Sequence, residues 1–325
     1  MGSIGTEAPL DRDREIAMLQ QTTANDRRKR HPNLPAWQEP ASVPSQFVKA
    51  AILVVLAVVM LFPFVYVVSI SFSSTRDILE GGVTLFPRHP TLNAYRAIFR
   101  GNIVSNAMIV SIWLTLVGTL VNMVMTITMA YGLSRSGVPG RTFVLIMVLF
   151  TMLFSPGIIP SYLLVKELGL LDTYTSLILP GAISAFNLIV MRNFFMNLPQ
   201  EIIESARLDG ASDWQLLKNI VIPLSLPVIA VTALFYGVAH WNDFFSATLY
   251  LNDQSKWPIQ LVLRQYVLQG SSLSTMVDMP RNQPAPPAQT IQMAVVVVAT
   301  VPILIVYPFL QRFFTKGVLT GAIKG

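Results

Sequence analysis

The 325-residue chain contains no cysteine, which excludes disulfide frameworks, thiolate metal sites and thiol nucleophiles. Its three histidines, His31, His89 and His240, lie far apart and show no HxxxH ligand spacing, so no metal site is expected. Charge is scarce. Asp, Glu, Lys and Arg make up 12% of the residues, against about 25% in an ordinary soluble domain. So few charged side chains cannot cover a water-exposed surface, which argues against a soluble two-domain enzyme. A hydrophobic share of 53% and a mean hydropathy of +0.55 argue equally against intrinsic disorder. The net charge of +6 is read as membrane orientation and contact with anionic lipid, with no nucleic-acid partner, because the hydropathy is so high.

What the chain does have is long apolar runs. Six are visible, at about 48–70, 103–133, 143–165, 174–191, 223–251 and 288–309. Each is near or above the roughly 20 residues that cross a bilayer as a helix. Separate runs of this length fit helices and not ten-residue barrel strands. The expected fold is therefore all-α, a polytopic membrane protein with six transmembrane helices. The first run follows a polar arm, residues 1–47, and its apolar core is longer than the roughly 7–15 residues of a cleavable signal. The arm carries Pro32, Pro35, Pro40, Pro44 and the basic cluster Arg27–Arg30, and it is expected to be disordered. Of the 23 Lys and Arg residues, fifteen fall on the side of the termini and eight on the other, which places both termini in the cytoplasm.

The joint between the fourth and fifth runs, 192–222, is longer than a passive turn requires. It reads as two short helices. Pro199 suits a first helical position, 200–209 follows, and Gly210 stands where a turn needs it. Ser212 or Asp213 can cap a second helix over 214–221, and Pro223 opens the next span. Ile203, Ala206 and Leu208 share one face of the first helix, and Trp214, Leu217 and Val221 form a stripe on the second. Such a pair suits docking into a partner's groove or lying on lipid headgroups, and the residues alone leave both open.

The joint also carries a motif: Glu204-Ser205-Ala206, three residues, Gly210, nine residues, Ile220, one residue, Ile222-Pro223. It resembles the EAA loop of importer permeases of the ATP-binding-cassette class, whose pattern is EAA, three residues, G, nine residues, I, one residue, LP. Ser205 and Ile222 depart from it conservatively. Phe86-Pro87 with Thr91–Tyr95, Ala130–Arg135 with Pro139-Gly140-Arg141, Asp209–Ser212, Trp241-Asn242-Asp243 and the end of the chain from Thr315 resemble MalG-type carbohydrate permeases. Gly157–Tyr162, Phe186-Asn187 and Glu204–Ala206 resemble the LplC/YtcP branch, associated with uptake of oligosaccharides and polysaccharide fragments. The resemblance implies a type I importer permease fold at 48–313, a coupling loop at about 197–222 and a tail at 314–325 that reaches the ATPases. It also implies a bacterial inner-membrane complex of two permease subunits, two ATPase subunits and an extracytoplasmic solute-binding protein. By the same resemblance Glu204, Ser205, Ala206, Asp209, Gly210, Ala211, Ile220 and Pro223 would couple to the ATPase. The chain lacks GxxxxGK[ST], so it is not expected to be an enzyme or to hold a cofactor; ATP and Mg would be bound by the partner ATPases.

Candidates for the substrate path are Asn187, Trp241, Asn242, Asp243 and Phe244. Asp243 is an acid inside an apolar run, next to His240, Trp241, Asn242, Phe244 and Phe245. A buried acid in a span faces a cavity or a partner, and amides beside aromatic faces suit sugar hydroxyls; interhelical bonding is the other reading. Asn122 and Asn187 are lone amides of the same kind, while Ser155-Pro156-Gly157 and Pro160 are expected to kink the third span. Outside the membrane, Tyr95, Ile98 and Phe99 point to a short surface helix. Trp257, Pro258, Arg264 and Tyr266 are expected either to project toward the binding protein or to pack. Import of amino acids, peptides or glycerol phosphate is the alternative within the class. A secondary transporter would need ionisable relays and paired broken helices, and a membrane enzyme would need a convergent catalytic set, which the sequence lacks.

Overall fold

The computed structural model describes residues 43–81, 85–269 and 286–322, and among them all regular structure is helical. Most of the expected N-terminal arm and the last three residues of the expected tail lie outside the described residues. The first helix, α1 (Val43–Ser71), starts inside the segment read as arm. The chain divides into two units at Pro63. The described part of the first unit is the apolar stretch of α1 up to Pro63, whose side chains are exposed almost throughout. A helix that is apolar all round and exposed among the described residues is suited to face lipid.

The second unit, from Phe64, holds the remaining helices. They are α2 (Thr75–Leu79), α3 (Asn93–Arg100), α4 (Ile103–Ser134), α5 (Arg141–Leu153), α6 (Ile158–Glu167), α7 (Thr175–Ile178) and α8 (Ala185–Met196). Next come α9 (Gln200–Leu208), α10 (Asp213–Leu216), a π-helical turn (Leu217–Val221), α11 (Ile222–Leu224), α12 (Leu226–Asn242), α13 (Phe245–Tyr250), α14 (Ile259–Gln269) and α15 (Ala288–Ala322). The tail expected from 314 is thus a continuation of α15.

The six apolar runs do not become six continuous helices. Among the described residues three unbroken helices, Pro44–Ser71, Ile103–Ser134 and Ala288–Pro308, are long and apolar enough to cross a membrane; a fourth is formed if Asp213–Leu224 and Leu226–Asn242, bent by 84°, count as one. The third run is split into α5 and α6, because Pro156 has no N–H to donate and Gly157 adopts φ 84° and ψ 179°, a conformation closed to residues with a Cβ. In the fourth run Pro180 and Gly181 stop the helix, and it restarts at Ala185, capped by Ser184. Pro223 does not open the fifth span. That span begins at Leu226, after the bend at Ser225, since Pro227 cannot donate to the carbonyl of residue 223.

Helix α4 threads three cores in turn. Near its start Val104 and Ala107 pack with Ala94, Ile98, Ile259, Tyr266 and Ile291. Midway Val110 and Leu114 meet Val165, Leu177, Tyr250 and Leu261. At its far end Met123, Ala130 and Tyr131 meet Leu188, Met191, Phe195, Ile203, Leu216 and Val221. Tyr266 is therefore a core residue and not a projection. On α3, Ala94, Ala97 and Ile98 are buried, the Tyr95 hydroxyl lies 2.8 Å from Ser71 Oγ, and Phe99 is exposed, as a surface helix requires.

One turn of this region is held by a buried carboxylate. Ser74 caps α2 in a capping box with Asp77. Asp77 also accepts hydrogen bonds from the His89 amide (3.1 Å) and ring Nδ1 (3.0 Å). The bond from the His89 ring does most to hold the Asp77 carboxyl down at about 2, against an ordinary 3.8. A group whose pKa falls on folding stabilises the fold above its ordinary pKa and loses that contribution as pH drops through the folded value. Asp77→Asn should lower the unfolding temperature of the purified protein by a constant amount from about pH 8 to 5, and the gap from wild type should close between about pH 4 and 2. Equal midpoints at pH 7 would show that the carboxylate does not hold the turn.

Candidate coupling loop and translocation cavity

The joint after α8 folds as two helices meeting at Gly210. Glu201 sits in the first turn of α9 and Arg207 in its last, each at the favourable end of the helix dipole. The end of α9 is a Schellman motif. The Ala211 amide donates to Ala206 O and the Gly210 amide to Arg207 O, both at 3.0 Å, and Gly210 has φ 85°. Ser212 then caps α10 in a capping box with Gln215.

Within this frame Glu204, Ser205 and Asp209 are exposed, Ala206 and Ala211 are half-buried against the core, Ile220 is half-buried in the π turn, and Pro223 is exposed in α11. The apolar faces expected of the two helices are divided: Leu208 is 89% exposed and Trp214 66%. Burial falls instead on Ile203, Leu216, Leu217 and Val221. The wide π turn aligns Leu216 with Val221, five residues on, which turns Trp214 off the buried face. The outer surface of the loop thus joins apolar side chains, Ile202, Leu208 and Trp214, to the carboxylate of Glu204, which makes no hydrogen bond or ion pair among the described residues.

A cavity of about 650 Å³ lies between α4, α7, α8 and α12–α13. Asn122, Ser184, Phe186, Asn187, Phe235, Tyr236, His240, Asp243 and Ser246 line it. Its wall is cross-linked by hydrogen bonds. Thr126 Oγ1 lies 2.7 Å from the Tyr236 hydroxyl, which accepts from the Ser184 amide at 2.9 Å, and Asn122 Nδ2 lies 3.0 Å from His240 Nε2. The Asn122 Oδ1 atom is buried with no partner among the described residues. The Phe186 and Phe235 rings, 6.3 Å apart, add apolar faces.

Of the path candidates, Asn187 and Asp243 line this cavity. The other three do not. Trp241 is buried and its Nε1 donates to Ala299 O at 3.3 Å; Asn242 donates to Val238 O on its own helix at 2.9 Å; Phe244 sits under Arg264, whose guanidinium carbon is 5.1 Å from the ring centre. The physical reason is the helical period. Residues 236, 240 and 243 share a face, whereas 241 and 242 are turned away from it. Asp243 is also not inside a helix: α12 ends at Asn242, and Asp243 Oδ1 accepts the Ser246 amide at 3.0 Å. Tyr236, Phe235, Phe186, Ser184 and Ser246 escaped the sequence reading. The signal that would have found Tyr236 is polar residues recurring at i, i+4 and i+7 in an apolar run.

A family model, binding-protein-dependent transport system inner membrane component, matches residues 122–320. The chain belongs to this family. The matched span contains both the loop and the cavity, and the molecule is a multi-pass permease of the inner membrane. The chain is 48% identical over 274 residues to the polygalacturonan/rhamnogalacturonan transport system permease protein YtcP of Bacillus subtilis, covering 84% of this chain and 96% of that one. It is 49% identical over 267 residues to protein LplC of the same organism, covering 82% and 90%. It is also similar to a chain in the crystal structure of a bacterial ABC transporter involved in the import of the acidic polysaccharide alginate, with a TM-score of 0.78 and 30% identity over 85% of this chain and all of that one. The fold is that of a type I importer permease.

The close approach of α4 to α12 depends on glycine. A Cβ at Gly118 would fall 2.6 Å from His240 Nε2, whereas one at Gly237 would meet nothing nearer than Thr119 Oγ1 at 3.5 Å, an ordinary contact. Gly118→Val is therefore expected to displace His240, break its bond to Asn122 and cut uptake by proteoliposomes at least tenfold, while Gly237→Ala stays within about twofold of wild type. Equal uptake by the two variants would show that the His240 position does not matter.

Proposed function

We propose that this permease forms half of the path for a carbohydrate, an oligosaccharide or polysaccharide fragment, in an ATP-binding-cassette importer. The observation that carries the coupling part is the loop surface, which exposes apolar side chains and a carboxylate with no partner among the described residues outside the apolar runs. Glu204 anchors the loop in an ATPase groove, Leu208 and Trp214 are covered there, and the rigid Gly210 turn passes the displacement on. A second permease subunit completes the path, two ATPase subunits bind ATP and Mg and supply the energy, and an extracytoplasmic binding protein delivers the sugar. The chain itself performs no catalysis and holds no cofactor. Both termini lie in the cytoplasm, and the end of α15 lies on the ATPase side.

Support for the carbohydrate comes from the names of the relatives and from the cavity. Amides, hydroxyls and one carboxylate suit sugar hydroxyls, and Phe186 with Phe235 suits the apolar face of a pyranose ring. Asn187 and Asp243 are the path residues of this reading.

The test uses the complex reconstituted with its cognate subunits. Glu204→Lys is expected to leave the permease in the membrane but to abolish ATPase association and uptake. Full substrate-stimulated hydrolysis and uptake with Glu204→Lys would remove the coupling role. Uptake of oligogalacturonides and of neutral oligosaccharides, measured side by side, tests the substrate; failure of both, with transport of amino acids or glycerol phosphate, would overturn it.

A further inference from the structure

We infer that α4 is the lever that carries movement of the coupling loop to the cavity wall, with Tyr131 as its point of contact with the loop. This rests on the reading of the 200–224 joint as the ATPase-coupling element.

There are two routes from the loop to the cavity. The covalent one runs from α10 into α12. It passes through the π turn Leu217–Val221 and the 84° bend at Ser225. The bend is the soft point, because Pro227 has no amide to donate across it. A push along that route is absorbed at the bend before it reaches Tyr236 and His240.

The other route is through contacts. The Tyr131 hydroxyl donates to the main-chain carbonyl of Asp213 at 3.1 Å, with the side-chain Oδ1 of the same residue a weaker acceptor at 3.5 Å, at the first residue of α10. Tyr131 is buried, and its hydroxyl in turn accepts from Arg135 Nη2 at 2.6 Å. The guanidinium also stands 4.5 Å over the same ring. Arg192 Nε on α8 donates to Leu133 O at 2.9 Å, so the end of α4 is gripped from the loop and from α8 together.

From Tyr131, α4 continues without proline or break to Ile103. About 13 Å along it, nine residues at 1.5 Å each, stands Asn122, bonded to His240, with Thr126 bonded to Tyr236 on the way. An unbroken helix in lipid is stiff, because bending it exposes backbone groups that have no water to bond. Gly118, where a Cβ would meet the His240 ring, brings α4 into direct contact with α12 beside the cavity, so displacement of α4 moves the wall. The stretch Ala130–Arg135, conspicuous in the sequence but with no role in the loop or the cavity, thereby acquires one. Tyr131 is a positioning residue: it touches neither sugar nor nucleotide.

The absence of cysteine makes the test direct. Ser246→Cys places one thiol of this chain on the cavity wall, and its labelling by N-ethylmaleimide is followed by mass spectrometry in the assembled complex. Rates are compared without nucleotide and with ATP, Mg and vanadate. The expected result is a nucleotide-dependent change of at least fivefold, reduced to less than twofold by Tyr131→Phe, with ATP hydrolysis and the nucleotide-free labelling rate preserved. Asp213→Asn, which leaves the accepting carbonyl in place, should keep most of the change. The inference is overturned if Tyr131→Phe retains the full change, or if it alters the nucleotide-free rate alone, which is what a merely structural role predicts. It is also overturned if Asp213→Asn and Tyr131→Phe lose the change equally. The reading beneath it fails separately, if the parent shows no nucleotide-dependent change or if Glu204→Lys keeps it.

Discussion

Everything in this molecule follows from the rule that backbone hydrogen bonds inside a bilayer must be satisfied by the protein itself. α4 obeys by being a continuous helix. The third, fourth and fifth apolar runs break it, and each break must find partners. The Ser184 amide at the start of α8 finds the Tyr236 hydroxyl, the Ser246 amide finds Asp243, and the Ser225 amide finds Val221 O and Ile222 O. Irregular backbone at membrane depth is tolerated where it is buried in protein or lines a cavity. Two of these three pairs line the cavity. The side chains that repair the backbone are thus also side chains of the cavity wall.

The same solvent argument ranks the joints by strength. At the loop end, Leu216 and Ile203 are buried from water, where a fully buried side chain of this size contributes about 1.5–3 kcal/mol. Within the lipid that driving force vanishes, and helix pairs rely on close packing at small residues and on hydrogen bonds averaging about 0.6 kcal/mol. The contacts of α4 with α12 at Gly118, Gly237, Asn122 and Thr126 belong to this second kind. The loop is therefore tied more firmly to the ends of α4 and α8 than α4 is to α12 around the cavity. A transporter needs this ordering: firm where force enters, loose where the path opens.

How much of this was legible in the sequence depends on the kind of signal. The apolar runs and the turn at Gly210 were, because hydropathy, a Schellman glycine and a serine cap act locally. The number of continuous helices was not. A run of apolar residues has the same length whether it holds one helix or two, and Pro156-Gly157 reads equally as a kink or as a full stop. The loop motif was legible in its spacing but not in its faces, since no local signal announces the π turn that turns Trp214 outward. The cluster from His240 to Phe244 was the hardest. Five adjacent polar and aromatic residues invite one role, yet the helical period and the end of α12 send Trp241 into the core, Asn242 back onto its own helix and Phe244 under Arg264.

Asp243 shows why an acid persists in so apolar a run. In the middle of a helix its carboxylate would have no donor, and an unpaired charge at bilayer depth costs several kcal/mol. At the end of α12 the geometry is different. The next helix presents unsatisfied amides, as every helix start does, and the Ser246 amide takes one carboxylate oxygen at 3.0 Å. A carboxylate next to helix amides also meets the positive end of the dipole. The residue that lines the cavity is therefore the residue that caps α13. One carboxylate oxygen is taken by a structural bond, while the other adds an acceptor to the wall. Asparagine there would keep an acceptor for the Ser246 amide but lose the charge, so the cap and the wall draw on different properties of one side chain.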